Sequence, residues 1–136
     1  EGFPLIDGFF NIVHVRNPGA AFSFLAGASP VFRSVFFFGV GIAAILLILH
    51  YLRMSGTDDL AMVTSLSLIC AGAVGNLIDR IRLGEVVDFL DVYIGGWHWP
   101  AFNVADSAIT AGASLLLVLL FRRRKAARTG GEERRE

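Results

Sequence analysis

Apolar and polar positions divide this chain into three long apolar runs separated by shorter, more polar segments. The apolar runs cover residues 32–52, 60–78 and 108–121. A helix that crosses the hydrocarbon core of a bilayer needs about 20 mostly apolar residues. The first two runs meet this length, but the third would form only about 21 Å of helix at about 1.5 Å per residue. We therefore expect the third span to begin near Pro100 and to cover about residues 101–121.

Two segments outside these runs are predicted to be extended. "FFNIVHVRN" at residues 9–17 alternates in the manner of a strand and is rich in β-branched residues, and "VVDFLDVYI" at residues 86–94 is a second candidate strand. The segment "NPGAAFSF" at residues 17–24 is interpreted as a turn and a second extended piece that completes a hairpin. "GGWHWP" predicts a loop hinge followed by two tryptophans at a membrane interface. The pattern predicts a helical membrane bundle with a small sheet lying on the membrane.

The distribution of positive charge predicts the orientation of these spans. Lys and Arg concentrate on the cytoplasmic side of membrane proteins. Five basic residues follow the third run: Arg122, Arg123, Arg124, Lys125 and Arg128. Residues 122–136 are therefore predicted to be a solvated cytoplasmic tail, and the 53–59 loop is cytoplasmic as well. Residues 1–31 and 80–100 are predicted to be extracytoplasmic. Since the chain starts on the external side with no export signal, we expect a further spanning helix upstream of Glu1.

Composition supports a membrane protein and narrows its chemistry. The chain has 136 residues, of which 54% are hydrophobic, and a formal net charge of +0. Its mean hydropathy is +0.62, which is high for a soluble domain. The balanced charge argues against nucleic acid as a partner. A single cysteine, Cys70, excludes an internal disulfide framework, and His14, His50 and His98 share no metal-ligand spacing. Neither a metal nor another cofactor is expected.

Polar residues from separate segments are predicted to meet at the outer edge of the membrane. They are Asn17, Asn76, Asp79, Arg80, Asp88, Asn103 and Asp106. Asn76, Asp79 and Arg80, at the end of the second span, have the i, i+3, i+4 spacing of one helix face. Gly72 and Gly75 would let another helix approach closely at the same level. Because ionisable groups at membrane depth are costly, such a cluster favours a functional site.

Simpler roles exist for several of these residues. Asn103 and Asp106 have the spacing of a helix cap, which is compatible with catalysis. Asp79 and Arg80 could form a structural ion pair at a helix end. Asp88 has apolar neighbours on both sides, which is unusual for a solvated loop carboxylate. By contrast, two further carboxylates, Glu85 and Asp91, are expected to be solvated.

Two neighbouring carboxylates favour aspartic protease chemistry. A close pair cannot ionise independently, so one member acts as base on a water while the protonated member polarises a carbonyl. No GxSxG serine motif is present, nor are the D-T-G and G-x-G-D signatures of other aspartic proteases. The residues alone leave open whether Asp79 or Asp88 belongs to the pair. A proton-relay transporter or a structural subunit is the alternative, although the chain has no internal repeat of the kind transporters often have.

Four motifs in order, "NPGAAFSF", "GAVGNLIDR", "VVDF" and "FNVADSAI", resemble those of the lipoprotein signal peptidase (signal peptidase II) family. The resemblance runs from about Gly8 to the end of the third span. It implies a multi-pass aspartic endopeptidase of the bacterial cytoplasmic (inner) membrane, with its active site on the extracytoplasmic side. The implied fold is a membrane all-α bundle of four spans with a small extracytoplasmic β-cradle. Three of those spans are visible here, and the first is absent.

The resemblance also implies an activity and a role for each residue of the cluster. The family cleaves prolipoprotein signal peptides just before the diacylglyceryl-modified Cys. It acts on lipidated prolipoproteins within the phospholipid bilayer and is the target of globomycin-type peptide antibiotics. The resemblance assigns the catalytic dyad to Asp88 and Asp106, and a supporting role to Asp79. The residues implied to bind substrate or line the site are Asn17, Gly72, Asn76, Arg80 and Asn103.

Overall fold

The three predicted spans are helical. The computed structural model describes residues 2–17, 27–55 and 58–132. Its long helices are α1 (Pro30–Ser55), α2 (Leu60–Leu83) and α3 (Val104–Glu132), and each is long and apolar enough to cross a membrane. In the described part of the chain the only buried apolar side chains on these helices are Met62 and Leu66. The helices therefore present apolar surfaces outward, as expected where lipid rather than water surrounds them.

The third helix begins later than the sequence predicts. It starts at Val104 rather than near Pro100, because the preceding residues pair with a strand. The Phe102 backbone N–H donates to the carbonyl oxygen of Leu90 at 3.0 Å, and the Leu90 N–H donates back at 2.8 Å. The helix gains its length at the other end, where it continues through the basic run to Glu132. Within the described residues, the predicted tail is helical from 122 to 132 and exposed from 122 to 128.

Helices α2 and α3 pack with their backbones in close contact. A Cβ on Gly72 would lie 2.3 Å from the carbonyl oxygen of Ala105, so only glycine fits there. Further along the same contact, the buried Ser65 hydroxyl donates to the carbonyl oxygen of Gly112 at 3.0 Å. Small residues at such a contact allow the dispersion contacts that hold membrane helices together. This contact fixes the first turn of α3 against α2.

A four-stranded antiparallel sheet accompanies the helices. Its strands are β1 (Phe3–Ile6), β2 (Phe10–Asn17), β3 (Val86–Ile94) and β4 (Trp97–His98), and they pair in the order β1-β2-β3-β4. Both predicted strands are confirmed, and the sheet confirms the predicted cradle. The sequence pattern does not predict β1 as the hairpin partner of β2. The partner that it does predict lies at residues 18–24, outside the described residues.

The sheet is joined directly to the end of α2. That helix closes on Gly84, whose φ of 79° is left-handed and whose N–H donates to the Arg80 carbonyl oxygen at 3.0 Å. Glycine takes this conformation without steric cost. Strand β3 starts two residues later, so the polar end of α2, the centre of β3 and the start of α3 are brought together. At the opposite end of the bundle, Arg123 of α3 forms an ion pair with Asp59, the N-cap of α2.

Candidate active site

Asp88 is a buried carboxylate near the middle of the sheet. It lies on β3 and is 2% exposed. Its Oδ2 accepts a hydrogen bond from Asn17 Nδ2 at 2.8 Å, and its Oδ1 accepts one from Asn103 Nδ2 at 2.9 Å. The two donors come from the end of β2 and from the residue before α3. Such bonds are needed because a buried carboxylate without partners is strongly disfavoured.

Asp106 lies in the first turn of α3. Its N–H donates to Asn103 Oδ1 at 2.9 Å, and its Oδ2 accepts from the Asn103 N–H at 3.3 Å. This reciprocal cap fixes the side chain and satisfies two N–H groups of the helix end. The other oxygen, Oδ1, accepts from Asn76 Nδ2 of α2 at 2.8 Å. Asp106 therefore caps α3 through Asn103 and also accepts a hydrogen bond from α2.

Two amides connect the carboxylates. Asn103 Nδ2, which binds Asp88, also donates to Asn76 Oδ1 at 3.2 Å, and Asn76 in turn binds Asp106. Both amide residues are buried, Asn103 with 4% of its surface exposed. The result is a continuous hydrogen-bonded path from one carboxylate to the other through three elements. The path fixes the two acids relative to each other.

Arg80 supplies positive charge to this network. Its Nη1 donates to the Asn76 carbonyl oxygen at 3.2 Å, and its guanidinium carbon lies 5.4 Å from the ring centroid of Phe37 on α1. Arg80 is attracted electrostatically to both Asp88 and Asp106. A cation held over an aromatic face is stabilised by the ring quadrupole. Phe37 thus helps to position Arg80. The sequence pattern does not single out Phe37.

Asp79 stands beside the network rather than within the path of amides. Its Oδ2 accepts a long hydrogen bond of 3.5 Å from the Val87 N–H, next to Asp88 in the chain. Asp79 is also attracted to Arg80. These contacts hold the start of β3, which carries Asp88, against the end of α2.

The environment of Asp88 raises its pKa above the usual value for an aspartate. Burial is the largest cause, because it disfavours the charged form, and the nearby negative charge of Asp106 acts in the same direction. The hydrogen bonds from Asn17 and Asn103 and the charge of Arg80 oppose this shift. The net direction is upward, so Asp88 retains a proton more readily than a solvated aspartate does.

Both carboxylates reach one cavity of about 770 Å³. Its polar lining residues are Asn17, Asn76, Arg80, Asp88, Asp106, Ser107 and Thr110. The rest of its wall is mostly apolar and includes residues 99–102 before α3. In the described part of the chain the wall does not include Gly72, which lies instead at the α2–α3 contact. A mostly apolar cleft with a few convergent polar groups is the usual form of a ligand site.

One sequence-based expectation about the neighbouring carboxylates is wrong. Asp91 is not solvated: it is 7% exposed and accepts hydrogen bonds from Asn11 at 2.9 Å and from His98 at 2.9 Å. No sequence pattern signals this burial, because the two partners reach Asp91 only through the pairing of β3 with its neighbouring strands β2 and β4. Glu85 forms an ion pair with the exposed Arg16 at 2.9 Å.

Comparison with known proteins identifies relatives over most of the chain. The family model described as signal peptidase (SPase) II matches residues 1–122. A lipoprotein signal peptidase from Syntrophus aciditrophicus is 61% identical over 116 residues, which cover 85% of this chain and 72% of the relative. One from Geobacter sulfurreducens is 53% identical over 116 residues, covering 85% of this chain and 71% of the relative.

Solved structures resemble this one in fold as well as in sequence. A bacterial membrane enzyme solved at 2.3 Å is 38% identical with a TM-score of 0.77, and the match covers 90% of this chain and 71% of that one. A second, solved at 1.9 Å, is 39% identical with a TM-score of 0.73, covering 88% of this chain and 74% of the other. With the match to the family model, these similarities establish that the chain belongs to the signal peptidase II family of membrane peptidases.

Proposed function

We propose that this chain is a lipoprotein signal peptidase that hydrolyses prolipoproteins just before the diacylglyceryl-modified Cys, with Asp88 and Asp106 as its catalytic dyad. The proposal depends above all on one observation. Two carboxylates from different elements line one cavity and are joined by the amides of Asn76 and Asn103. Carboxylates that share a site are suited to holding one proton between them.

The proposed reaction uses this shared proton. Asp88, whose pKa is raised by burial, carries the proton and donates a hydrogen bond to the carbonyl oxygen of the scissile peptide. Asp106 lies at the start of a helix, where the dipole favours negative charge, and removes a proton from the attacking water. The water oxygen bonds to the carbonyl carbon, which gives a tetrahedral intermediate. That intermediate collapses as the C–N bond breaks and the Cys nitrogen takes a proton from the dyad.

The remaining polar residues hold the dyad and the substrate. Asn17 and Asn103 donate to Asp88 and fix its orientation. Asn76 does the same for Asp106. Arg80 offers positive charge near the developing oxyanion, where a preorganised charge is most effective. Asp79 supports the start of β3 and is proposed to have no direct role in the reaction.

The lipid chains of the substrate are proposed to supply much of its binding free energy. The sheet and the dyad lie at the end of the bundle opposite the basic run of α3, which fits an extracytoplasmic site in the inner membrane by the positive-inside rule. The diacylglyceryl chains stay in the bilayer while the modified Cys enters the cavity. Each CH₂ that stays in apolar surroundings contributes about 0.8 kcal/mol. Globomycin-type peptides are proposed to bind in the same cavity.

The direct test is cleavage of paired synthetic precursors in detergent or vesicles. The lipidated prolipoprotein peptide should be cut before its modified Cys, whereas the same peptide with an unmodified Cys should not be cut. Since the proposed dyad activates water without a metal, EDTA should leave the rate unchanged. Efficient cleavage of the unmodified peptide, or loss of activity in EDTA that added metal restores, would contradict the proposal.

A further inference from the structure

A second polar cluster on the sheet has no part in the proposed chemistry. It is centred on Asp91, which is 7% exposed. The His98 Nδ1 lies 2.9 Å and 3.1 Å from its two carboxylate oxygens, and Asn11 Nδ2 donates to it at 2.9 Å. These bonds hold the pKa of Asp91 below its usual value, with His98 as the largest cause. Asp91 therefore remains an ionised, fixed acceptor for the imidazole.

The imidazole of His98 is held in a second way by stacking. Its ring lies 4.9 Å from the ring of Tyr93, centroid to centroid, at an interplanar angle of 10°. Tyr93 is itself anchored, because its hydroxyl accepts a hydrogen bond from the Gly8 N–H at 2.9 Å. One hydrogen-bonded contact and one stacked contact thus fix the orientation of a residue on the two-residue strand β4. Such short strands have few backbone bonds of their own to hold them.

His98 lies between two tryptophans that differ in surroundings. Trp99 lines the cavity that contains the dyad, and its backbone N–H donates to the Val92 carbonyl oxygen at 2.8 Å. Trp97 packs edge-to-face on Trp99 at 5.8 Å and is outside the described cavity wall. The two residues are 60% (Trp97) and 49% (Trp99) exposed. Exposed indoles of this kind settle at the membrane–water interface.

We propose that the Asp91–His98 pair is a positioning device that holds the indole of Trp99 in the cavity wall, where Trp99 contacts the lipid-modified side of the substrate. The inference rests on the proposed function for the identity of the substrate. Trp99 forms the part of the wall that continues into the interfacial surface of Trp97. In this proposal the acyl chains leave the cavity towards the bilayer along this indole. Asp91 and His98 touch no substrate and act only through Trp99.

Fluorescence tests the positioning step without any enzymatic assay. The chain has two Trp residues, so Trp97→Phe leaves Trp99 as the single emitter. In that background His98→Phe keeps the ring but loses the hydrogen bond to Asp91. We expect a shift in the Trp99 emission maximum and a change in acrylamide quenching. His98→Asn, whose amide can donate in place of Nδ1, should restore the original spectrum, and His14→Phe on β2 should leave it unchanged.

Kinetics with the lipidated peptide test the consequence for the substrate. Trp99→Ala should raise KM about tenfold with a smaller effect on kcat, the factor expected from about 60 Å² of lost apolar burial. His98→Phe should raise KM in the same direction and His98→Asn should restore it. If His98→Phe left either the Trp99 emission or KM unchanged, the inference would be overturned. If the wild-type chain cut no lipidated peptide, the proposed function would fail, while the fluorescence would still decide whether the pair positions Trp99.

Discussion

Asp88 accepts two amide hydrogen bonds and still has a raised pKa, because burial outweighs the donors. For a carboxylate with a raised native pKa, the native state binds more protons than the unfolded state. Its contribution to stability therefore falls as pH rises from the unfolded pKa to the native pKa. The same shift matters for the proposed reaction, in which Asp88 must be protonated. Activity is expected to decline as pH rises through the raised pKa.

Substituting Asn17 should change the pH at which activity declines. The Asn17 amide lowers the pKa of Asp88 by stabilising its charged form, so Asn17→Ala should raise that pKa further. The alkaline limb of the kcat/KM profile should shift to higher pH, and the maximal rate should fall as the orientation of Asp88 loosens.

Asn11→Ala is a matched control for this measurement. Asn11 also lies on β2 and also donates to an aspartate of β3, at 2.9 Å, but that aspartate is Asp91. The control should keep the wild-type position of the alkaline limb. An unshifted limb in Asn17→Ala, or equal shifts in both variants, would contradict the assignment of the limb to Asp88.

At the scale of elements, sequence patterns predict what depends on local composition and periodicity. Strand β3 spans Val86–Ile94, the same residues as the predicted segment. Strand β1 contains Pro4 and lies at the sheet edge, where proline is tolerated, so its short sequence carries little strand signal. The start of α3 differs from the predicted one because Phe102 is held by long-range pairing with Leu90. Local sequence does not encode such pairing.

The candidate site also has a part that local sequence predicts and a part that it does not. Helical spacing is enough to place Asn76 and Arg80 on one face, but it does not distinguish Asp79 from Asp88. That distinction needs the position of β3 relative to α2, which a left-handed turn at Gly84 sets. The partners of Asp91 are not predictable from spacing because they lie on β2 and β4. Contacts across a sheet depend on register, and one sequence does not reveal register.

The α2–α3 contact gives a prediction about stability. Gly72→Ala would place a Cβ 2.3 Å from the Ala105 carbonyl oxygen, so the helices must separate or shift. Overpacking of this kind costs about 1–3 kcal/mol. We expect a lower melting temperature in detergent and a loss of activity, because the shift displaces the first turn of α3.

Gly39→Ala is the control for helix propensity alone. A Cβ at Gly39 on α1 meets nothing within 4 Å. This variant should be as stable as the wild type or slightly more stable. Equal melting temperatures for Gly72→Ala and the wild type would contradict the close packing described here.

The whole molecule has different chemistry at the two ends of its helices. The sheet and the candidate site lie at one end, and the Asp59–Arg123 pair and the basic run lie at the other. In a Cys70→Ala background, Glu85→Cys should react with a membrane-impermeant maleimide in right-side-out vesicles. Arg124→Cys should react only after the vesicles are permeabilised. The reverse pattern would place the proposed site on the cytoplasmic side.

The central claim is that Asp88 and Asp106 act together as the catalytic dyad, and single-turnover cleavage of the lipidated peptide by their Asn variants tests it most directly. Asp88→Asn and Asp106→Asn should each lower the rate by about 10²–10⁴-fold, the range of general acid–base catalysis. Both should keep a cooperative melting transition near that of the wild type. Asp7→Asn, in the exposed turn after β1, should retain the full rate. A rate close to wild type in either dyad variant would contradict the account.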